Sequence, residues 1–189
     1  MNIEALQAAA RRLEVDLPAV QAVAEVESSG VPFWTIDGRS VPPIRLEAHW
    51  FGKLTGYRYN ISHPRISCVK WDPSLAATTR EGAWAQYEEA KELDLPAAVQ
   101  ACSWGAFQIM GYHFPRLGYA TCAEFVGAMH SEEGQLEAFA RFIEKDPALR
   151  SALAIHAWRG FAAGYNGNGQ VDTYAARLEA AFARHGGVA

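Results

Sequence analysis

A glutamate at the end of an apolar helical stretch is the most informative position in the sequence. Glu27 follows Val20, Val23, Ala24 and Val26, and Ser28-Ser29-Gly30 stops the helix directly after it. Its apolar neighbours, with Phe33 and Trp34 just beyond, would strip water from a carboxyl placed among them. Desolvation disfavours the charged form and raises the pKa, and the negative end of the helix dipole pushes the same way. A carboxylic acid held protonated near neutral pH can act as a general acid. The plain alternative is a solvated glutamate at a frayed helix end, which is the reading for Glu25, two residues earlier on a different face.

Two later segments share that character. Ser103-Trp104-Gly105-Ala106-Phe107-Gln108-Ile109-Met110 packs a glycine, aromatics and one glutamine into a short apolar run, and Gly164-Tyr165-Asn166-Gly167 sets a tyrosine and an asparagine between glycines. Each alone says little. Aromatics usually belong to a core, and Tyr-Asn beside glycine equally fits a helix C-cap. Metal chemistry has no support. Cys68, Cys102 and Cys122 form no CxxC, and the six histidines form neither HxH nor HExxH. Zinc ligands cluster at short spacings, so no metal and no cofactor are expected, and the three thiols read as free packing groups.

The elements that must position these residues are mostly helical. Apolar residues at spacings of three to four predict a first helix over 3–13. Asp16-Leu17-Pro18 reads as the start of a second, with proline in the first turn. Two short strands, 33–36 and 41–46, flank a tight Asp37-Gly38 turn, with Pro42 and Pro43 making the second an edge or broken strand. Residues 57–73 carry no steady period and read as a long ordered loop. Helices are then expected near 81–92, 96–103, 121–130, 132–145, 147–157 and 172–185. The fold class is mainly α (α+β), a helical domain with a small β-hairpin.

Composition bounds what this domain does. The 189 residues fit one domain. Half are apolar and a fifth charged, which excludes disorder. A net charge of −4 argues against binding nucleic acid by phosphate neutralisation. No apolar run reaches the ~18 residues of a membrane span, so no stable membrane insertion is expected, and the N-terminus lacks the pattern of a signal peptide.

Read in order, the three segments resemble the three sequence blocks of the lysozyme-like superfamily, shared by goose-type lysozymes and soluble lytic transglycosylases. The closer resemblance is to the bacteriophage N-acetylmuramidase family of modular endolysins. It rests on Val26-Glu27-Ser28, Asp37-Gly38-Arg39, Glu47-Ala48-His49, the run from Ser103 to Gly111, and Gly164 to Gly167, and it spans about residues 15–180. The resemblance implies a lysozyme-like fold and a glycoside hydrolase that cuts the β-1,4 bond between N-acetylmuramic acid and N-acetylglucosamine in peptidoglycan. Glu27 would be the acid. Gln108, Tyr165 and Asn166 would line the substrate groove. Ser28 would bond to the Glu27 carboxyl and fix its rotamer. Trp104, with Trp34, Phe107 and Tyr112, would offer aromatic faces to sugar rings.

The second catalytic group stays open at this point. Asp37 lies ten residues after Glu27, but in a turn where aspartate is favoured for geometry. Glu47 lies twenty residues after it, at the end of the returning strand, and is the candidate base or electrostatic partner. With neither close, the muramic acid 6-hydroxyl could close on C1, as in a lytic transglycosylase. A secreted antibacterial effector and a non-catalytic peptidoglycan-binding module remain as alternatives. The expected partners are peptidoglycan glycan strands, engaged by a monomer. The chain reads as a single catalytic domain over 1–189 with no separate wall-binding domain. It would be made in the host bacterial cytoplasm and would reach the periplasm through a holin-type lesion or a secretion system.

Overall fold

Short polar caps set the helix starts. In the computed structural model, which describes residues 1–188, the Asn2 side chain accepts from the Glu4 amide at 2.8 Å and opens α1 (Ile3–Leu13). Asp16 accepts from the Ala19 amide at 3.1 Å and opens α2 (Leu17–Ser28), with Pro18 in the first turn as the sequence predicts. Each such cap stabilises its helix by about 1 kcal/mol. α2 stops because Ser29 turns left-handed (φ 58°), and the Ser29 and Gly30 amides donate back to the carbonyls of Glu25 and Ala24. The backbone therefore leaves the helix directly after Glu27-Ser28.

β1 (Trp34–Ile36) and β2 (Arg39–Val41) form the expected hairpin around Asp37-Gly38, both at positive φ (49° and 74°). A two-residue Asp-Gly loop suits the twist of a hairpin for that reason. The single returning strand predicted over 41–46 is instead two strands. Pro42 and Pro43 offer no N–H to a ladder, so β2 ends before them and β3 (Ile44–Leu46) joins a different sheet. The proline carbonyls are used as acceptors, Pro42 from the Trp84 indole at 3.1 Å and Pro43 from the Gly105 amide at 2.8 Å.

α3 (Ala48–Leu54) follows, then the ordered loop, then α4 (Arg80–Leu93) and α5 (Leu95–Ala101). The helix expected over 96–103 ends at Ala101, because β4 (Cys102–Trp104) pairs antiparallel with β3 on one side and with β5 (Ile109–Met110) on the other. The Ser103–Met110 run is thus a second hairpin that completes a three-stranded sheet. Gly105 at its turn has φ 74°, and a Cβ there would meet the Gln135 side chain at 2.9 Å.

The remainder is helical: α6 (Cys122–Met129), α7 (Glu132–Glu144), α8 (Pro147–Ala154), α9 (Trp158–Asn166) and α10 (Val171–Arg184). α8 stops three residues short of the expected 157, and α9 is a helix where the sequence showed no helical pattern. Trp104, Phe107, Phe125, Phe139 and Phe161 are fully buried in one core, with Phe107 stacked on Phe139 at 4.1 Å. The class is mainly α with small antiparallel sheets, as expected. No described helix is long and apolar enough to cross a membrane. No group of three His, Cys, Asp or Glu among the described residues could hold a metal.

Candidate active site

A cleft of about 270 Å³ opens beside the end of α2. It is lined by Glu27, Ser28 and Trp34, by β3 with Gln108, and by residues of the stretch from Ala77 to Ala83 that leads into α4. Gln86, buried on α4 and also in the lining, donates from its amide to the Leu75 carbonyl at 2.7 Å and so ties α4 to the segment that precedes it.

Glu27 is only partly exposed, and its carboxyl pKa is pushed up to about 7, chiefly by burial. Three groups pull the other way. The Tyr174 hydroxyl donates to Oε1, and the guanidinium groups of Arg177 and Arg45 stabilise the anion. Tyr174 and Arg177 stand one helical turn apart on α10, which packs along α2. Arg177 also donates to the Val26 carbonyl at 2.8 Å, tying α10 to the helix end that carries Glu27. Burial pushes the Tyr174 hydroxyl above its usual range, and the neighbouring Glu27 adds to it. Tyr174 therefore stays a neutral donor.

The other residues singled out in the sequence fare differently. Gln108 lines the cleft in a left-handed conformation (φ 48°). Its carbonyl oxygen accepts from Ser103 Oγ at 2.7 Å and its amide donates to the Gly105 carbonyl at 2.9 Å, so the side chain is locked in place. Tyr165 does not line the cleft but stands behind it. Its hydroxyl donates to the Phe107 carbonyl at 2.6 Å, and both burial and the nearby Glu27 raise its pKa. Asn166 is the exposed last residue of α9, followed by Gly167 at positive φ, and lies outside the cleft lining.

Three expectations need correction. Ser28 Oγ donates to the Ala24 carbonyl at 3.3 Å, one turn back along its own helix, and the bond to the Glu27 carboxyl is made by Tyr174 instead. Trp104 is 1% exposed, and its indole donates to the Val99 carbonyl at 3.0 Å, so it is core and presents no face to a ligand. Phe107 is likewise buried. Trp34 is the expected aromatic that does line the cleft.

Glu47 sits at the start of α3 and is absent from the cleft lining. Its two oxygens face Arg45 Nε at 3.2 Å and His49 Nδ1 at 3.6 Å. Arg45 thus stands between the two glutamates. Asp37 is exposed at the hairpin tip and also outside the lining. Among the described residues Glu27 is the one carboxyl that lines this cleft.

Sequence reasoning missed Tyr174, Arg177 and Gln135. The first two lie on a helix with an ordinary amphipathic pattern, 147 residues from Glu27 in the case of Tyr174, and nothing local marks them. Buried Gln135 accepts from the Ala106 amide at 2.8 Å and donates to the Pro32 and Met129 carbonyls, both at 2.9 Å. It therefore joins the β4–β5 turn to the segment after α2.

The profile of the N-acetylmuramidase family matches residues 16–186. The chain belongs to that family. Among solved structures it is similar to the crystal structure of Burkholderia AP3 phage endolysin, with 39% sequence identity and a TM-score of 0.82, over 98% of this chain and 70% of that one. No curated protein sequence matches it. The family and the lysozyme-like fold implied by the sequence blocks are therefore borne out. Membership also directs attention to the Glu27 cleft, since a muramidase acts on a glycan and needs an acid in an open groove.

Proposed function

We propose that Glu27 is the general acid of a peptidoglycan N-acetylmuramidase with the lytic role of a phage endolysin. The observation that carries this reading is a single carboxyl lining the cleft, buried enough that its pKa is pushed up to about 7, with one oxygen already engaged by Tyr174. Tyr174 occupies Oε1, which leaves Oε2 to carry the proton. Donation from Oε2 to the glycosidic oxygen lets the C1–O bond break with its electron pair moving to the leaving oxygen. Charge builds at C1 of the muramic acid ring in an oxocarbenium-like transition state. General acid assistance of this kind supplies about 10²–10⁴ in rate.

Tyr165 and Gln108 support the site from below. Tyr165 fixes the backbone at Phe107, and Gln108, locked by Ser103, presents a rigid polar edge of the groove. Glu47 acts through Arg45, holding that guanidinium where it faces Glu27. It is a positioning residue in this account rather than a base.

What captures C1 next decides between two outcomes. Water gives hydrolysis, with the Glu27 carboxylate, once deprotonated, taking the water's proton. The muramic acid 6-hydroxyl gives a 1,6-anhydro product. A cleft lined by no second carboxyl among the described residues keeps the latter reading in play. The substrate lies outside the cytoplasmic membrane, and the lytic role is read with release through a holin-type lesion or a secretion system.

The test is a digest of purified peptidoglycan, reduced with borohydride and read by mass spectrometry. Reduced muramic acid ends are expected for hydrolysis. Anhydromuramic ends, lighter by one water, would make the enzyme a transglycosylase. Equal glycan cleavage by wild type and Glu27→Gln would overturn the assignment of the acid.

A further inference from the structure

The cleft is cationic although the chain is anionic. Two arginines line it, Arg45 and Arg80, against the single carboxyl of Glu27, which is neutral when it acts as the acid. Arg45 is compensated by Glu47 at 3.2 Å. Arg80 forms no ion pair among the described residues. It stands exposed in the cleft lining, with its guanidinium over the Trp34 ring at 5.8 Å from the centroid.

Neither an ion pair nor the needs of its helix account for that placement. Arg80 is the first residue of α4, where the positive end of the helix dipole disfavours a cation. The start of α4 is already secured by the Thr79 side chain, which accepts from the Gly82 amide at 3.0 Å. The guanidinium packs on the face of an aromatic ring that itself lines the groove. With no ion pair or side-chain hydrogen bond among the described residues, its planar N–H fork is free to bind a carboxylate through two parallel hydrogen bonds. A lysine could supply the charge but not the fork.

We propose that Arg80, held by Trp34, forms a carboxylate-binding subsite at the rim of the cleft. Its ligand is a free carboxylate carried by muramic acid: one on the stem peptide where the lactyl carboxyl is tied up in the amide bond to that peptide, or the 3-O-lactyl carboxylate itself where no peptide is attached. This rests on the muramidase reading of the cleft and deepens it. The glycan backbone is uncharged, and acidic groups occur only on alternate sugars. A cation in the lining of the acid's cleft therefore favours registers of the strand that bring a substituted muramic acid to it. It also favours peptidoglycan over an unsubstituted N-acetylglucosamine polymer.

The experiment compares soluble glycan strands carrying native stem peptides with the same strands after carbodiimide amidation of their carboxylates. For wild type, kcat/KM on native strands should exceed that on amidated strands by about tenfold, the size of one charge-assisted contact. Added salt should reduce the ratio. In Arg80→Ala the ratio should fall to about one, with the change in KM. Arg80→Lys should lie between, and Arg80→Glu should invert the preference. A wild-type ratio near one, or a wild-type ratio retained by Arg80→Ala, would overturn the subsite. Cleavage of neither strand by wild type would instead sink the muramidase reading itself, so the two failures are distinguishable.

Discussion

Glu27 and Glu47 are the same residue type, and both stand at a helix terminus near the groove, yet the chain treats them in opposite ways. Glu27 lies in the last turn of an apolar helix, is partly buried, and receives its one direct hydrogen bond from a neutral tyrosine. Glu47 caps the start of α3, directly after β3, with 20% of its side chain exposed and both oxygens directed at Arg45 and His49. Burial near a neutral donor makes an acid that holds its proton at about pH 7, whereas an ion pair with arginine makes a carboxylate that orients its partner. The surroundings, and not the residue, assign the role.

Three substitutions sharpen or break that contrast. The largest effect is expected from Glu27→Gln, which should lower the rate of glycan cleavage by about 10³-fold or more while glycan binding persists. Retained cleavage in a turbidity assay on isolated cell walls would end the account of Glu27. The same variant bears on stability. Glu27 has its folded pKa raised from 4.5 to about 7, so the folded state binds more protons than the unfolded state across that window. Stability contributed by the protonated acid is present below pH 4.5 and is lost as pH rises to about 7. Glu27→Gln should therefore match wild type in Tm at pH 4 and exceed it at pH 8, by about 1–2 kcal/mol or a few degrees.

Tyr174→Phe comes next. Removing a donor that favours the anion should raise the Glu27 pKa further, moving the alkaline limb of the kcat/KM profile to higher pH. The loss of a fixed Oε1 should cost about tenfold in kcat. An unmoved limb would mean that Tyr174 serves packing alone. The smallest effect is expected from Glu47→Gln, a drop of only a few fold in kcat. Freed from Glu47, Arg45 stabilises the Glu27 anion more fully, so the alkaline limb should move to lower pH. A loss as large as that of Glu27→Gln would make Glu47 a catalytic base and erase the contrast.

Much of this was legible in the chain because it is local. The Asp16 cap, the glycine after Ser28-Ser29 and the Asp37-Gly38 turn are each written within four residues, and all form as read. Glu27 was legible for the same reason, since its apolar neighbours sit on its own helix. The β3–β4–β5 sheet was not. Ser103-Trp104 lacks the alternation of a half-exposed strand because both faces are buried, and its partner Arg45 lies 58 residues away. α9 was hidden by Gly160 and Gly164, which weaken its helical signal.

Trp104 shows where residue type alone misleads. An aromatic in a functional block can face ligand or core, and only the tertiary pairing with α4 and α6, where its ring meets Tyr87 and Phe125 edge-on, decides for core. Tyr174 fails in the opposite direction. It looks like an ordinary buried residue of an amphipathic helix until α10 is laid against α2.

The central claim is that Glu27 keeps its proton at neutral pH because of where it sits. The direct measurement is a carbon-13 NMR titration of the glutamate side-chain carboxyls, with Glu27 assigned by its absence from the Glu27→Gln spectrum. A midpoint near the value of about 7 set by burial is predicted. A midpoint at the ordinary 4.5 would contradict the account and leave the cleft without its acid.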